Sequence, residues 1–206
     1  DDAVTSAKIP ANAVTDSELN LGSNFAFTGT VSGAGSLNLL LDATISSAVS
    51  SYDISNTYIN STYDSYLLDA YFMPSTDNQY LRFRVKVGGT IQTGAKYGYG
   101  GKALDGDAEF GDNGDTSFGM HMYGCGNADG EGSSIVMHMQ NINNTNAPFA
   151  FQCQNSMQNT SDNHGGNATC GSLKGADRGD IVNGLSFFWS SGNIALGTVK
   201  LYGLST

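Results

Sequence analysis

Basic residues are scarce in this chain of 206 residues, which has nine lysines and arginines against 19 acidic residues and a formal net charge of −10. Proteins that bind phosphate backbones or anionic membrane surfaces need clustered cations. The charge balance therefore argues against nucleic acid as a partner. No apolar run approaches the roughly 18 residues of a membrane span, so we expect no membrane insertion either.

Long stretches of Ala, Leu, Glu, Lys and Arg at helical spacing are also missing, which argues against helices of any length. The chain has instead 27 glycines, together with abundant Ser, Thr, Asn and Asp. This composition is typical of β proteins with many turns. The sequence therefore predicts an all-β fold.

Cysteine is limited to Cys125, Cys153 and Cys170, which form no CxxC pair and no set with metal-ligand spacing. An odd number of cysteines cannot close into a complete disulfide framework. A Cys153–Cys170 disulfide stays open as one interpretation. The other is that these cysteines are inert buried residues, as isolated cysteines commonly are.

The first twenty residues contain a ten-residue repeat, in which DDAVTSAKIP is followed by ANAVTDSELN. Four apolar residues recur at intervals of five: Val4, Ile9, Val14 and Leu19. A unit with so few apolar residues cannot bury itself and becomes ordered by stacking or by wrapping around other chains. We predict an oligomeric fibre shaft and neck over residues 1–33, with a disordered linker as the alternative. Because the sequence starts within a repeat, we expect it to be the distal end of a longer protein.

Residues 34–206 have the pattern of a globular β domain. The strand candidates are residues 37–41, 43–49, 66–73, 80–87, 117–123, 134–140, 149–154, 184–190 and 198–202. Short strands separated by Gly, Asn and Asp clusters predict a two-sheet antiparallel β-sandwich of jelly-roll type. The Gly- and Asn-rich stretches 94–114 and 155–180 are expected to be loop excursions at one end of it.

Three blocks of this domain resemble a known family. They are INSTYDSY (59–66) leading to Pro74 and Asp77, YLRFR (80–84), and LSFFWSSGNI (185–194) running into GTVKLYGL (197–204). The blocks resemble a C-terminal module of tail fibres and related virion proteins of tailed bacteriophages, especially marine ones. The repeat at the start is independently similar to tail-fibre shaft repeats, whereas residues 94–180 depart from the family's pattern.

The resemblance implies a virion location, a homotrimer and contacts with other virion proteins, but it supplies no functional residues. We predict a tail-fibre tip whose loops bind a host-surface receptor, a polysaccharide in preference to a protein. The alternative is a structural virion component, such as a capsid decoration or head fibre, that binds no receptor.

One stretch of the chain has the residues for a cation site. Its carboxylates recur within a Gly-rich segment, as Ca²⁺ ligands do, although the EF-hand pattern is not met. The candidate ligands are Asp105, Asp107, Asp112 and Asp115. The alternative is a solvated acidic loop and no cofactor.

The triplets Met120-His121-Met122 and Met137-His138-Met139 could form a soft-metal site if they faced each other on adjacent strands. The simpler interpretation is that in each strand the Met side chains face the core and the His side chain faces the opposite side.

Motifs of hydrolases are missing, since the chain has no GxSxG elbow and no HExxH pair, and we predict that it is not an enzyme. Aromatic residues among glycines and polar residues are better functional candidates, because flat rings stack on sugars. These are Tyr97, Tyr99, Phe110 and Tyr123. Their alternative role is packing against the sandwich, and Trp189 is assigned to the core or a trimer interface.

Overall fold

The computed structural model describes residues 37–104, 106, 108–159 and 164–204. The predicted shaft and neck, residues 1–33, lie outside the described residues. Within the described part there is no helix with the length and hydrophobicity needed to cross a lipid bilayer.

The described chain forms thirteen β-strands joined by turns and irregular segments, with one short 3₁₀ helix at Gly175–Gly179. In chain order the strands are β1 (Leu37–Ile45), β2 (Tyr52–Ile54), β3 (Ser65–Pro74), β4 (Leu81–Val87), β5 (Thr90–Ile91), β6 (Tyr97–Ala103), β7 (Glu109–Asp115), β8 (Phe118–Gly119), β9 (Gly132–Gln140), β10 (Ala150–Gln158), β11 (His164–Leu173), β12 (Val182–Trp189) and β13 (Ile194–Leu204). The predicted all-β fold is confirmed.

The strands form two sheets, and all the pairings within each are antiparallel. The large sheet has eight strands in the order β1-β13-β3-β9-β10-β11-β6-β7. The small sheet has the order β2-β12-β4-β5, and β8 also pairs with β4. Because β12 occupies one edge of β4, the short strands β5 and β8 share its other edge.

Alternation along the strands explains which side chains are buried. In β4, Leu81, Phe83 and Val85 are fully buried, while the residues between them are partly exposed. Successive side chains of a strand point to opposite faces, so each sheet has one apolar face and one wet face. The predicted alternation of this strand is confirmed.

A cluster of contacting aromatic rings joins the apolar faces of the two sheets. Phe83 in β4 lies 4.8 Å from Phe118 in β8, 5.0 Å from Phe151 in β10 and 5.4 Å from Phe187 in β12, measured between ring centroids. Phe187 also stacks on Phe72 in β3 at 5.2 Å. Since β3 and β10 belong to the large sheet, the two sheets share one core.

Several of the predicted strands differ from those observed. Candidates 37–41 and 43–49 form mainly the single strand β1, and candidate 117–123 is reduced to the two residues of β8. The stretches 94–114 and 155–180, predicted as loops, instead hold β6, β7 and β11, and this prediction was wrong.

The glycines in these strands have a packing role that their low strand propensity conceals. A Cβ at Gly101 would lie 2.5 Å from the ring of Phe110, and a Cβ at Gly171 would lie 2.7 Å from the ring of Phe151. The backbone therefore passes close to aromatic rings, where a larger residue would clash. Glycine here marks a tightly packed strand and not a loop.

We expect Phe83→Ala to lower the free energy of unfolding by about 3–5 kcal/mol, because it removes a ring packed against both sheets. Urea denaturation followed by the fluorescence of Trp189, the single tryptophan, measures the change. Thr198→Ala, at an exposed position of β13, is the control and should change the free energy by less than about 0.5 kcal/mol. A loss below about 1 kcal/mol for Phe83→Ala would contradict a shared aromatic core.

Candidate functional site

The outward face of the large sheet has an extended concave surface. Two depressions of about 430 and about 530 Å³ lie on it, and Gln152 and Cys170 line both of them. The combined lining runs from Leu67 in β3 to Asn113 in β7, across six adjacent strands. At about 4.8 Å between strands its length is about 24 Å. We call this surface the trough.

Strand register places the residues of the trough in lines across the sheet. Paired positions face the same side, so each line shares one face. One line consists of Leu67, His138, Gln152, Cys170, Gly100 and Gly111. The next consists of Asp69, Val136, Gln154, Ala168, Lys102 and Glu109.

Differences in side-chain length give the trough its depth. Gly98, Gly100 and Ala168 on β6 and β11 form a low floor. Gln152 and Gln154 on β10 stand beside it with long amide side chains. A flat sheet with such alternating residue sizes presents a shallow groove without help from loops.

Charged side chains line the trough at its β7 end. Among the described residues that line the two depressions, Asp112 and Lys174 are charged, and both lie at that end. Lys174 already has a protein partner there, since its Nζ donates a hydrogen bond to the carbonyl oxygen of Asn113 at 2.5 Å. The charged residues of the second line stand on the same face but line neither depression. The lining in the middle of the trough thus offers amide, imidazole, thiol and apolar groups.

His138 contributes an unusual polar atom to this middle part. Its Nε2 is shielded from solvent and has no hydrogen-bond partner within the part of the chain that the structure describes. Buried polar atoms in folded proteins are nearly always paired, so an unpaired one at a concave surface needs an explanation.

The four aromatic candidates do not form one exposed platform. Tyr97 is fully buried, and burial raises the pKa of its hydroxyl to about 12. This hydroxyl donates a hydrogen bond to the carbonyl oxygen of Gln92 at 2.7 Å and accepts one from the backbone amide of Val85 at 3.2 Å. A ring in this position belongs to the core and cannot stack on a ligand, which corrects its assignment as an exposed sugar-binding residue.

The other three aromatic candidates are half-buried. Tyr99 lines the trough, but its ring packs near Phe118 with 6.4 Å between centroids. Tyr123 packs against the core, and Phe110 packs beside Gly101. Of the four predicted residues, Tyr99 is the one found in the lining of the trough.

The acidic candidates are divided by the structure. Asp105 and Asp107 lie outside the described residues, Asp112 is exposed on β7, and Asp115 pairs with Arg82 at 2.9 Å. Burial alone would raise the pKa of Asp115, but hydrogen bonds from the Thr116 amide and from Arg82 outweigh it and hold the pKa below its usual range. Among the described residues no three potential ligands gather for a metal ion, and Ca²⁺ binding stays a prediction.

The two Met-His-Met triplets have different structures. In β9, Met137 and Met139 are buried and His138 faces outward, as predicted. Residues 120–122 lie outside the strands, and His121 is buried, so the alternation predicted for this triplet was wrong. The triplets do not lie on adjacent strands, since β9 pairs with β3 and β10.

Both ring nitrogens of His121 are already occupied. The Leu81 amide donates to Nε2 at 2.9 Å, and Nδ1 lies 2.6 Å from the carbonyl oxygen of Tyr123. These contacts fix the neutral tautomer with its proton on Nδ1. The ring therefore links β4 to the segment after β8 and is not free to bind a metal.

The cysteines are free thiols. Cys170 pairs with Gln152 in the β10–β11 register and Cys153 pairs with Thr169, so the two thiols point to opposite faces of the sheet. This geometry excludes the Cys153–Cys170 disulfide that the sequence left open. Cys125 and Cys153 are buried, and burial raises the pKa of each thiol to about 12.

The sequence analysis did not identify the glutamines of the trough as functional candidates. The signal that could have identified them was the alternation of Gln152 and Gln154 with the buried Phe151 and Cys153.

Comparisons of the chain with family models, curated proteins and solved structures return no match. The trough and the resemblance described above are therefore the two observations that bear on function.

Folding should become less stable as the pH falls from about 6.5, because burial lowers the pKa of His121 from 6.5 to about 4. The unfolded chain then binds a proton that the folded chain excludes, and the free energy of unfolding drops by about 1.4 kcal/mol per pH unit. Urea denaturation at pH 7, 6 and 5 measures this slope, which His121→Gln should flatten. An unchanged slope in the variant would contradict the assignment.

Cys170 should be the one thiol that reacts in the native protein, because it is exposed while Cys125 and Cys153 are buried. We expect a thiol-specific chromogenic reagent to modify one cysteine per chain before unfolding and all three in denaturant. Cys170→Ser should abolish the native reaction. Two rapid equivalents in the wild type would contradict the burial of the other thiols.

Proposed function

We propose that the chain is the receptor-binding tip of a phage tail fibre, in which the trough binds a host-surface polysaccharide. The observation that carries this proposal is the trough itself, which is about 24 Å long and combines amide, imidazole and apolar groups in its middle. A long open groove fits a polymer better than a compact ligand, which is usually enclosed in a cavity. The binding surface proposed here is a sheet face, where the sequence suggested loops.

We propose further that residues 34–206 are a jelly-roll head. Strands β1, β13, β3 and β9 are neighbours in one sheet, and β2, β12, β4 and β8 are neighbours in the other. The chain thus crosses between sheets at β1–β2, β3–β4, β8–β9 and β12–β13. Eight strands in two sheets with such crossings are what a jelly roll requires.

On this interpretation the trough is an addition to the common scaffold. The remaining strands of the large sheet, β10, β11, β6 and β7, come from two insertions into the eight-strand pattern. They widen one sheet from four strands to eight and provide most of the floor of the trough. Binding sites are commonly added in this way to a rigid scaffold.

Trimerisation through residues 1–33 would present three troughs on each fibre. Weak individual contacts then combine, and avidity exceeds the affinity of a single site by roughly 10² to 10⁴. A shallow groove is sufficient for attachment under these conditions, and a virion location follows from the same assignment.

A structural virion component, such as a capsid decoration or head fibre, is the second candidate. The observation that favours it is the edge strand β1, where Leu37 and Leu39 are 53% and 54% exposed. An apolar edge strand without lysine or proline is suited to contact with another protein. Such a protein would bind no glycan.

We expect Ala168→Trp, which fills the trough, to reduce binding to bacterial envelope polysaccharides at least about tenfold, since the bulky ring removes the space for a chain. Thr198→Trp, on the same sheet face but outside the lining of both depressions, should leave binding unchanged. The measurement is a glycan array with the intact chain, together with its mass by light scattering.

Two results would contradict the proposal. Binding to neither glycans nor a panel of bacterial cells, with the trimer intact, would favour the structural component. A monomer in solution would contradict the fibre itself.

A further inference from the structure

We propose that the trough selects uncharged, hydroxyl-rich saccharides and excludes acidic ones, with His138, Gln152 and Gln154 as the residues that hydrogen-bond the sugar. This inference rests on the proposed function and specifies its ligand.

The hydrogen-bonding groups of the trough match hydroxyl groups. Each glutamine amide offers donors and an acceptor, and a neutral imidazole offers one donor and one acceptor. A hydroxyl both donates and accepts, so it can pair with either side of these groups. His138 and Gln152 are directly opposite each other on neighbouring strands, and Gln154 lies two residues along β10 on the same face. The groups are thus spaced at about 5 and about 7 Å.

The unpaired Nε2 of His138 points to a ligand in the same place. This atom is shielded from solvent and has no protein partner among the described residues, while the residue lines the depression that contains both glutamines. A polar atom in this state is destabilising until it finds a partner. A change of the His138 rotamer on binding would bring this atom to a sugar hydroxyl beside Gln152, which can pair with either tautomer of the ring.

The carboxylate or phosphate of an acidic sugar is an additional group that has to be accommodated. It accepts hydrogen bonds but cannot donate them, so it pairs with the amide nitrogen of a glutamine and not with the amide oxygen. Among the described residues that line the two depressions the one cation is Lys174, which is bound to the Asn113 carbonyl. Lys102, in the second line of the same face, lies directly opposite the acidic residue Glu109. The net charge of −10 adds a repulsion that acts at long range.

An apolar wall completes the match to a sugar. Leu67 and Val136 line the same depression, and Val136 is 51% exposed although it lies in the middle of the sheet. Sugar rings combine hydroxyl groups with faces of C–H groups. Apolar side chains next to amides therefore provide both kinds of contact, whereas water alone would leave Val136 without a packing partner.

The experiment measures binding of the intact chain to fragments of mannan and dextran, which are uncharged, and to polygalacturonate of similar length, at low and at physiological salt. We expect binding of at least one uncharged probe and no binding of polygalacturonate. Gln152→Ala and His138→Phe should each weaken the uncharged interaction by up to about tenfold, the effect of one lost hydrogen bond. Thr198→Ala is the matched control, with no expected change.

A charge variant tests selectivity in the opposite direction. Replacing both glutamines, Gln152→Lys and Gln154→Lys, should weaken binding of the uncharged probe and create salt-sensitive binding of polygalacturonate. Thermal unfolding and light scattering of each variant verify that fold and assembly are unchanged.

If Ala168→Trp alters the mass in solution, the trough is a contact between copies of the chain and the inference fails.

The outcomes separate this inference from the proposed function. Glycan binding that the trough variants leave unchanged, or binding of polygalacturonate by the wild type, would overturn the inference while receptor binding stands. Binding to bacterial cells without binding to any glycan probe would also overturn it and favour a protein receptor. Failure to bind cells and glycans alike would overturn both.

Discussion

Packing of aromatic rings between the two sheets is the interaction on which the rest of the structure depends. Phe83 contacts Phe118, Phe151 and Phe187, and these rings come from strands distant in sequence. Each sheet has one apolar face, and the rings bury those faces against each other. The outward face of the large sheet is held in place by this core, so the shape of the trough depends on the packing of rings against the opposite face of the sheet.

Glycine residues of β6 and β11 affect both the core and the candidate site. On the inward face they allow the backbone to pass within contact distance of Phe110 and Phe151. On the outward face other glycines leave the low floor of the trough. The same residue type thus serves packing on the inside and concavity on the outside. A sheet with larger residues at these positions would pack less closely and would present a flatter outer face.

The sequence predicted the fold class and several strands well, since β4, β9 and β12 have clear alternation or apolar runs. It failed for β6, β7 and β11, because glycine and asparagine are depleted in strands and their pattern favours loops. The candidate site was predicted less well. Tyr97 sits in the core, and the glutamines of β10 became candidates only when the register of the strands placed them beside Ala168 and Gly100.

By itself the sequence determined what is local: the β character, the turn composition, the acidic charge and the side of each strand that faces inward, because these follow from residue type and a period of two. The tertiary structure alone decided which strands became neighbours and therefore which outward side chains lie together. Register between distant strands depends on pairing and packing of the whole core, and no local pattern encodes it. Cys153 and Cys170 show this well, since one residue of register places their thiols on opposite faces of the sheet.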